Sequence, residues 1–200
     1  MEFDSSLEGS GLLVVPQSDR DHPSRVPSTL CGQWSFPFNC YQDSSFQNTC
    51  ELIPLALGCL ALALRGIRHT RLALKGDSTT ALAWGASGRF SGELCTRTAV
   101  VLTIISVQFD YTIVDAQHIP GEENLVCDAL SRNTTTPREL GYSPSETLSN
   151  LPNSPFMELL YLCDPTLPSP FTSETLFNEF WFSVKEFVAR LDPPQEPGSP

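Results

Sequence analysis

From Leu52 to Leu64 the chain runs Leu-Ile-Pro-Leu-Ala-Leu-Gly-Cys-Leu-Ala-Leu-Ala-Leu, apolar on every side of a helical projection. A helix of this kind cannot lie on a protein surface; other layers have to enclose it. It is also short of the roughly 20 residues a bilayer demands, and Pro54 and Gly58 interrupt it. The expectation is therefore a core helix in a layered domain, with no membrane partner. With 200 residues there is room for one domain of ordinary size and an appendage. Met1-Glu2-Phe3-Asp4 has no basic region followed by an apolar core, so no signal peptide is read and an intracellular location is expected, cytoplasm and nucleus not being distinguished.

Proline divides the chain into two textures: residues 1–132 hold 6 of the 17 prolines and residues 133–200 hold 11. This places a boundary near Arg132, followed by a Pro/Ser/Thr-rich linker over 133–172, an amphipathic helix over 173–192 and a disordered end over 193–200. Within the first region, strand and helix signals alternate. Gly11–Val15 reads as a buried strand stopped by Pro16, and Gln17–Thr29 as a surface loop. Gln33–Phe38 reads as an edge strand, with Pro37 suited to an edge. Arg71–Lys75 is a short strand running into Gly76-Asp77, with a helical stretch to Trp84. Glu93–Val107 is helix-like despite its β-branched residues, Tyr111–Val114 is a strand, and Glu122–Arg132 is a short helix entered from Pro120-Gly121. If Phe3 and Asp4 belong to a truncated first strand, the order is β-β-β-α-β-α-α-β-α. That order predicts a three-layer α/β domain on a mixed five-stranded sheet, antiparallel in its first half and parallel in its second.

Seven cysteines, an odd number at scattered spacings with no CxxC pair, argue against a disulfide framework and against a zinc site. They read as small core hydrophobes. The net charge is −11, divided as −5 over residues 1–132 (9 Lys/Arg, 14 Asp/Glu) and −6 over 133–200 (3 and 9). No basic footprint for nucleic acid follows from such a balance. Arg65, Arg68, Arg71 and Lys75 form the one basic cluster, and a solvated helix end accounts for it as well as a phosphate track does.

Four acids stand where acids are not expected. Asp4 follows the first strand remnant, Glu51 opens the most apolar helix, Asp77 terminates a strand, and Asp128 sits in Leu125-Val126-Cys127-Asp128-Ala129-Leu130. Each has an ordinary reading: Asp4 and Asp77 as loop caps, Glu51 as a first-turn acid favoured by the helix dipole, Asp128 as a surface acid on an amphipathic helix. Gathered in one place without cations, however, they would be costly to bury. Divalent ions resolve the conflict: Mg²⁺ takes oxygen ligands, and two such ions about 4 Å apart serve phosphodiester hydrolysis.

Four segments carry a family resemblance. Asp4-Ser5-Ser6-Leu7-Glu8-Gly9-Ser10-Gly11 resembles the Asp-Ala-Ser-x-x-Gly-x-Gly opening of retroelement ribonuclease H domains, with Ser5 for the common Ala. Asn48–Leu52 is similar to the start of their central helix with its catalytic Glu, and Gly76–Trp84 to their strand end and following helix. His118–Arg132 resembles the block His-x-x-Gly-x-x-Asn-x-x-Ala-Asp-x-Leu-Ser-Arg near the end of such domains, with Cys127 for Ala. The match spans about residues 2–132. Three features depart from the pattern: the short first strand, which suggests a chain cut from a longer polyprotein; Pro54 in the early turns of the central helix; and the acidic charge.

The resemblance implies a metal-dependent endonuclease that hydrolyses the RNA strand of RNA–DNA hybrids within a retrotransposon reverse transcriptase (LTR-type or DIRS-like), with the polymerase domain upstream as partner. Asp4, Glu51, Asp77 and Asp128 would hold two Mg²⁺ ions, with Mn²⁺ as a substitute. His118 would assist proton transfer or product release. Metal and neighbouring domains would then supply the grip on nucleic acid that the charge balance lacks. The alternative is a catalytically silent ribonuclease H-like scaffold or tether, or a decayed element fragment; the shortened strand and Pro54 favour that reading. A DNA-acting nuclease or integrase of the same fold is a third, and the His118–Arg132 block argues against it. In the tail, Leu176, Phe177, Phe180, Trp181, Val184, Phe187, Val188 and Leu191 recur at helical spacing over Thr175–Leu191, with Thr172 or Ser173 as cap. That helix is expected to dock on this domain or a neighbouring one.

Overall fold

The five strands of the computed structural model are β1 (Glu2–Ser5), β2 (Gly9–Val14), β3 (Leu30–Ser35), β4 (Thr70–Gly76) and β5 (Tyr111–His118). The structure describes residues 1–16, 28–39, 44–90, 92–134, 136–139, 141–142 and 154–191; most of the loop expected at Gln17–Thr29 lies outside them. The strands form one sheet in the order β3-β2-β1-β4-β5. β1, β2 and β3 pair antiparallel, whereas β4 joins β1 and β5 joins β4 in parallel. This is the mixed sheet the sequence order predicts, in the three-layer α/β architecture of ribonuclease H-like folds.

β2 is buried along its whole length because helices cover both faces of the sheet. Leu12 and Val14 enter the main core, whereas Leu13 joins Cys31, Cys127 and Leu130 in a smaller cluster on the opposite face. β3 is an edge as expected, although it ends at Ser35, before Pro37. β5 forms the other edge and runs four residues past the expected Val114, to His118. A register shift opposite Leu72/Ala73 marks a bulge there, a device that kinks an edge strand and blunts its pairing capacity.

The apolar helix is divided. α1 (Ser44–Cys50) and α2 (Ile53–Ala63) are separated by a turn at Glu51-Leu52, and every residue of α2 is buried. Pro54 accounts for the break. It has no N–H to give the Cys50 carbonyl four residues back, and proline is well accommodated only in a helix's first turn. The Ser5 hydroxyl of β1 donates to that carbonyl instead, at 2.9 Å. By length and composition alone Phe46–Ala63 could cross a bilayer, but 89% of it is buried inside this protein, as in the core helix of a globular fold.

α3 (Thr79–Ser87) begins at Ser78, whose side chain accepts from the Ala81 N–H, and ends at Gly88 in the left-handed region (φ 63°). α4 (Thr96–Phe109) is helical in spite of its Val, Ile and Thr content because Val101, Leu102, Ile105 and Phe109 all reach the core. α2, α3 and α4 share one core on one face of the sheet. α5 (Leu125–Ser131), which starts three residues later than expected, packs on the other face over β1, β2 and β3. Its close approach requires glycine in β2. A Cβ on Gly11 would fall 2.2 Å from the Cys127 carbonyl oxygen, whereas one on Gly9 would meet the Trp34 carbonyl oxygen of β3 at 2.1 Å.

Residues 133–172, expected as an extended linker, contain two α-helices among the described residues, α6 (Thr136–Glu139) and α7 (Pro155–Leu162), and a 3-10 turn at Pro170–Thr172. Pro155 occupies the first turn of α7, and Ser154 caps it by accepting from the Met157 N–H. A proline-rich composition therefore hid a helix start. Phe156, Leu159 and Leu160 of α7 belong to the main core, and the Phe156 ring lies 5.4 Å from that of fully buried Trp34. The expected amphipathic helix is α8 (Glu174–Leu191). Ser173 caps it through the Leu176 N–H, and it buries Phe180, Val184, Phe187 and Val188 against the same core. The end expected to be disordered, 193–200, lies outside the described residues. Six cysteines are described, all buried and none in a disulfide among the described residues; Cys40 lies outside the described residues.

Candidate metal centre

Parallel pairing of β1 with β4 brings two acids to the same end of the sheet. The register sets Glu2 beside Lys75, and those side chains form an ion pair at 3.7 Å. Two residues further along each chain stand Asp4 and Asp77, whose carboxylates interact directly. The first pair is thus a charge pair and the second is two carboxylates, an arrangement that repels unless something positive lies between them. Asp4 lies within β1 rather than after it, whereas Asp77 follows the last residue of β4. The ends of parallel strands are where open α/β sheets bind ligands.

Glu51 completes the group from the other side. It lies in the turn between α1 and α2 rather than in the first turn of a helix. One carboxylate oxygen each from Asp4, Glu51 and Asp77 lie within 4.8 Å of one another. Among the described residues, this is the one group of three or more acids, histidines or cysteines close enough to hold a metal ion. Gln47, one helical turn before Glu51, donates to Glu51 Oε1 (3.1 Å) and to the Ser5 carbonyl (2.8 Å), fastening the turn to β1.

The electrostatics show what the group lacks. Burial, joined by the charge of Asp4, pushes the Glu51 carboxyl up from its ordinary 4.5 to about 8, against the lowering effect of the Gln47 hydrogen bond. Burial also raises Asp4 from 3.8 to about 6; the Ser131 hydrogen bond opposes this, and the charges of Asp77 and Asp128 add to it. Glu51 Oε2 and Asp77 Oδ1 are buried with no hydrogen-bond partner. Orphaned carboxylate oxygens in a shared pocket are costly. Hard oxygen donors at this spacing fit a divalent cation such as Mg²⁺, which prefers a few carboxylates with water completing its shell.

Asp128 is not one of the three. It is half-exposed on α5, and its Oδ1 accepts from Arg132 Nε at 2.7 Å across one helical turn. Its charge still reaches Asp4, so it borders the group. His118 ends β5 opposite Gly76, beside the strand end that leads to Asp77, and is exposed. The intervening loop approaches the acids directly: a Cβ on Gly121 would lie 3.3 Å from Asp77 Oδ2. Asn124, fully enclosed, donates to the Phe3 carbonyl at 3.0 Å and ties the start of α5 to β1.

Three contributors are absent from the sequence reading. Ser131 Oγ donates to Asp4 Oδ2 at 2.7 Å, Gln47 secures Glu51, and Ser5 holds the turn before it. Gln47 carried a signal, being four residues before Glu51 and so on the same helical face. Ser131 carried none beyond its place in the Leu-Ser-Arg ending.

Fold and site together define a class: a ribonuclease H-like α/β architecture bearing a buried Asp/Glu triad, consistent with the active site of a metal-dependent nuclease. Compared with protein-family models, curated proteins and solved structures, the chain matches none.

Proposed function

We propose that the chain is a ribonuclease H that cleaves the RNA strand of RNA–DNA hybrids as part of a retroelement reverse transcriptase. The observation that carries this reading is the convergence of Asp4, Glu51 and Asp77, 73 positions apart at the extremes, within 4.8 Å at the end of the parallel strands. Asp4, Glu51 and Asp77 would hold divalent cation, with Asp128 at the border of a second site. A bound pair of such ions supplies an activated water and stabilises the leaving oxygen. In the reaction a water oxygen adds to phosphorus and the P–O3′ bond breaks, leaving 3′-hydroxyl and 5′-phosphate ends. The chain's own residues place the acids: β1 and β4 set two of them side by side, and the α1–α2 turn delivers the third. Exposed His118 stands beside the strand end that leads to Asp77, where it can pass a proton to solvent. Hybrid selectivity is expected through 2′-hydroxyl and groove-shape contacts, without sequence preference.

The test is cleavage of an end-labelled RNA–DNA hybrid with Mg²⁺ by the chain and by its Asp77→Asn variant. Mg²⁺-dependent cleavage by the first and none by the second is the expected result. A second reading, a silent scaffold of the same fold, draws on the Asp128–Arg132 ion pair, which engages the fourth acid. A folded wild-type chain that binds no Mg²⁺ and cuts no hybrid would favour it.

A further inference from the structure

We infer that Ser131 is a positioning residue for the metal centre: its hydroxyl fixes the carboxylate of Asp4 so that one oxygen is committed to α5 and the other is left for the ion. This rests on the reading of Asp4, Glu51 and Asp77 as metal ligands.

Four observations converge on this residue. Ser131 is 2% exposed at the C-terminal end of α5, on the sheet face that carries Asp4. Its Oγ lies 2.7 Å from Asp4 Oδ2, the length of a strong hydrogen bond to an anion. The same hydroxyl lies 2.9 Å from the Asp128 carbonyl; it has a single proton for two acceptors, and an ionised Asp4 is the stronger of the two. Its backbone is held as well, since the Ser131 carbonyl accepts from Ser6 Oγ at 2.8 Å.

The glycines of β2 explain how a helix side chain reaches a strand carboxylate. Gly11 pairs directly with Asp4, and a Cβ there would stand 2.9 Å from the Ser131 backbone nitrogen and 2.7 Å from Leu130 Cβ. The bare strand lets the last turn of α5 settle onto the sheet beside Asp4. Gln33, from β3, holds the next carbonyl by donating to that of Leu130 at 3.1 Å. The end of α5 is thus fastened by two strand-side residues, and the side chain it presents to the acid is a hydroxyl.

A partner fastened in this way has a consequence for affinity. Metal ligands oriented by a second hydrogen-bonded group typically lose 10- to 100-fold in affinity when that group is removed. Without Ser131, Asp4 loses the donor that orients its Oδ2 and favours its charged form.

The experiment measures Mn²⁺ binding to the full chain by titration calorimetry, for wild type, Ser131→Ala, Ser131→Cys and Asp77→Asn, with circular dichroism to establish folding. Cysteine is close to serine in size and a poor donor, so it serves if alanine disturbs the fold. The expected result is a Kd raised about 10- to 100-fold in each folded Ser131 variant, with Asp77→Asn binding more weakly still. Binding within twofold of wild type in either folded Ser131 variant overturns the assignment while leaving the metal centre in place. A wild-type chain that binds no Mn²⁺ overturns the metal reading and this inference with it.

Discussion

Neutralising Glu51 should make the metal-free protein more stable, and the size of the effect follows from its surroundings. The carboxyl is pushed from 4.5 to about 8, so between those values the folded chain holds a proton that the unfolded chain has released. Stability from this group is fully present below about pH 4.5 and is lost as pH rises through about 8. The gap corresponds to on the order of 5 kcal/mol once both states are ionised. Glu51→Gln keeps the shape and the acceptor for Gln47 but has no charge to bury. In a chelator at pH 8.5 the variant is expected to melt above wild type by on the order of 10 °C, at roughly 2–4 °C per kcal/mol for a chain of this size. The difference should close as pH falls toward 4.5, and Asp4, raised to about 6, adds a smaller trend of the same sign in both proteins. Adding Mg²⁺ should lift the wild type more than the variant. Thermal unfolding followed by circular dichroism across this pH range reads all of these. A Glu51→Gln protein that melts at or below wild type at pH 8.5 without metal refutes the claim that this carboxylate is buried at a cost.

Two further outcomes concern the supports of the site. Ser5→Ala removes the donor that replaces the missing N–H of Pro54, and should cost about 1–3 kcal/mol in denaturant unfolding. In a Pro54→Ala background the cost should fall, because alanine restores a backbone N–H for the Cys50 carbonyl; equal costs in both backgrounds would show that the two positions are uncoupled. Phe156→Ala should destabilise the chain by about 3–5 kcal/mol and shift Trp34 fluorescence to the red, since the rings lie 5.4 Å apart in one core. A loss below about 0.5 kcal/mol, ordinary for a surface substitution, would mean that α7 does not share the core.

The mixed sheet and the three acids were legible in the sequence, the sheet from the alternation of strand and helix signals and the acids only when taken together with a fourth, Asp128, that the fold sets aside. Buried strands read as short apolar runs, and Asp77 follows the end of β4 as expected, whereas Asp4, expected after the first strand, lies within β1. The Gly9-x-Gly11 spacing was visible, although its reasons were not: room for the Trp34 carbonyl of β3 at Gly9, and at Gly11 for the Cys127 carbonyl, a contact over more than a hundred residues. Other features were hidden by competition between local cues. Leu52–Leu64 reads as one helix because its unbroken Leu/Ala run outweighs a single proline, yet Pro54 ends α1 and leaves Glu51 in a turn. Pro155 reads as linker because its neighbours are proline and serine, although proline is favoured at a helix's first position. The partners of Asp4 and Asp128 were beyond reach, because nothing in the spacing says that Ser131 turns toward the sheet while Asp128 turns toward Arg132.

Pro54 and Ser5 both depart from the retroelement pattern, and taken singly each looks like decay. In the folded chain they answer one another: the proline withholds a hydrogen bond from the Cys50 carbonyl, and the serine provides one at 2.9 Å. The result holds the turn that carries Glu51 against β1, with Gln47 reaching the Ser5 carbonyl from the other side. A module with no use for the acids would gain stability by losing any of them, because two interact directly and the third is buried with an unpartnered oxygen. All three are present, and Ser5, Gln47 and Ser131 each donate a hydrogen bond that holds one of them or the backbone beside it. A chain that keeps so costly an arrangement and supports it on three sides is better explained by a cation that the acids bind than by a scaffold that merely tolerates them.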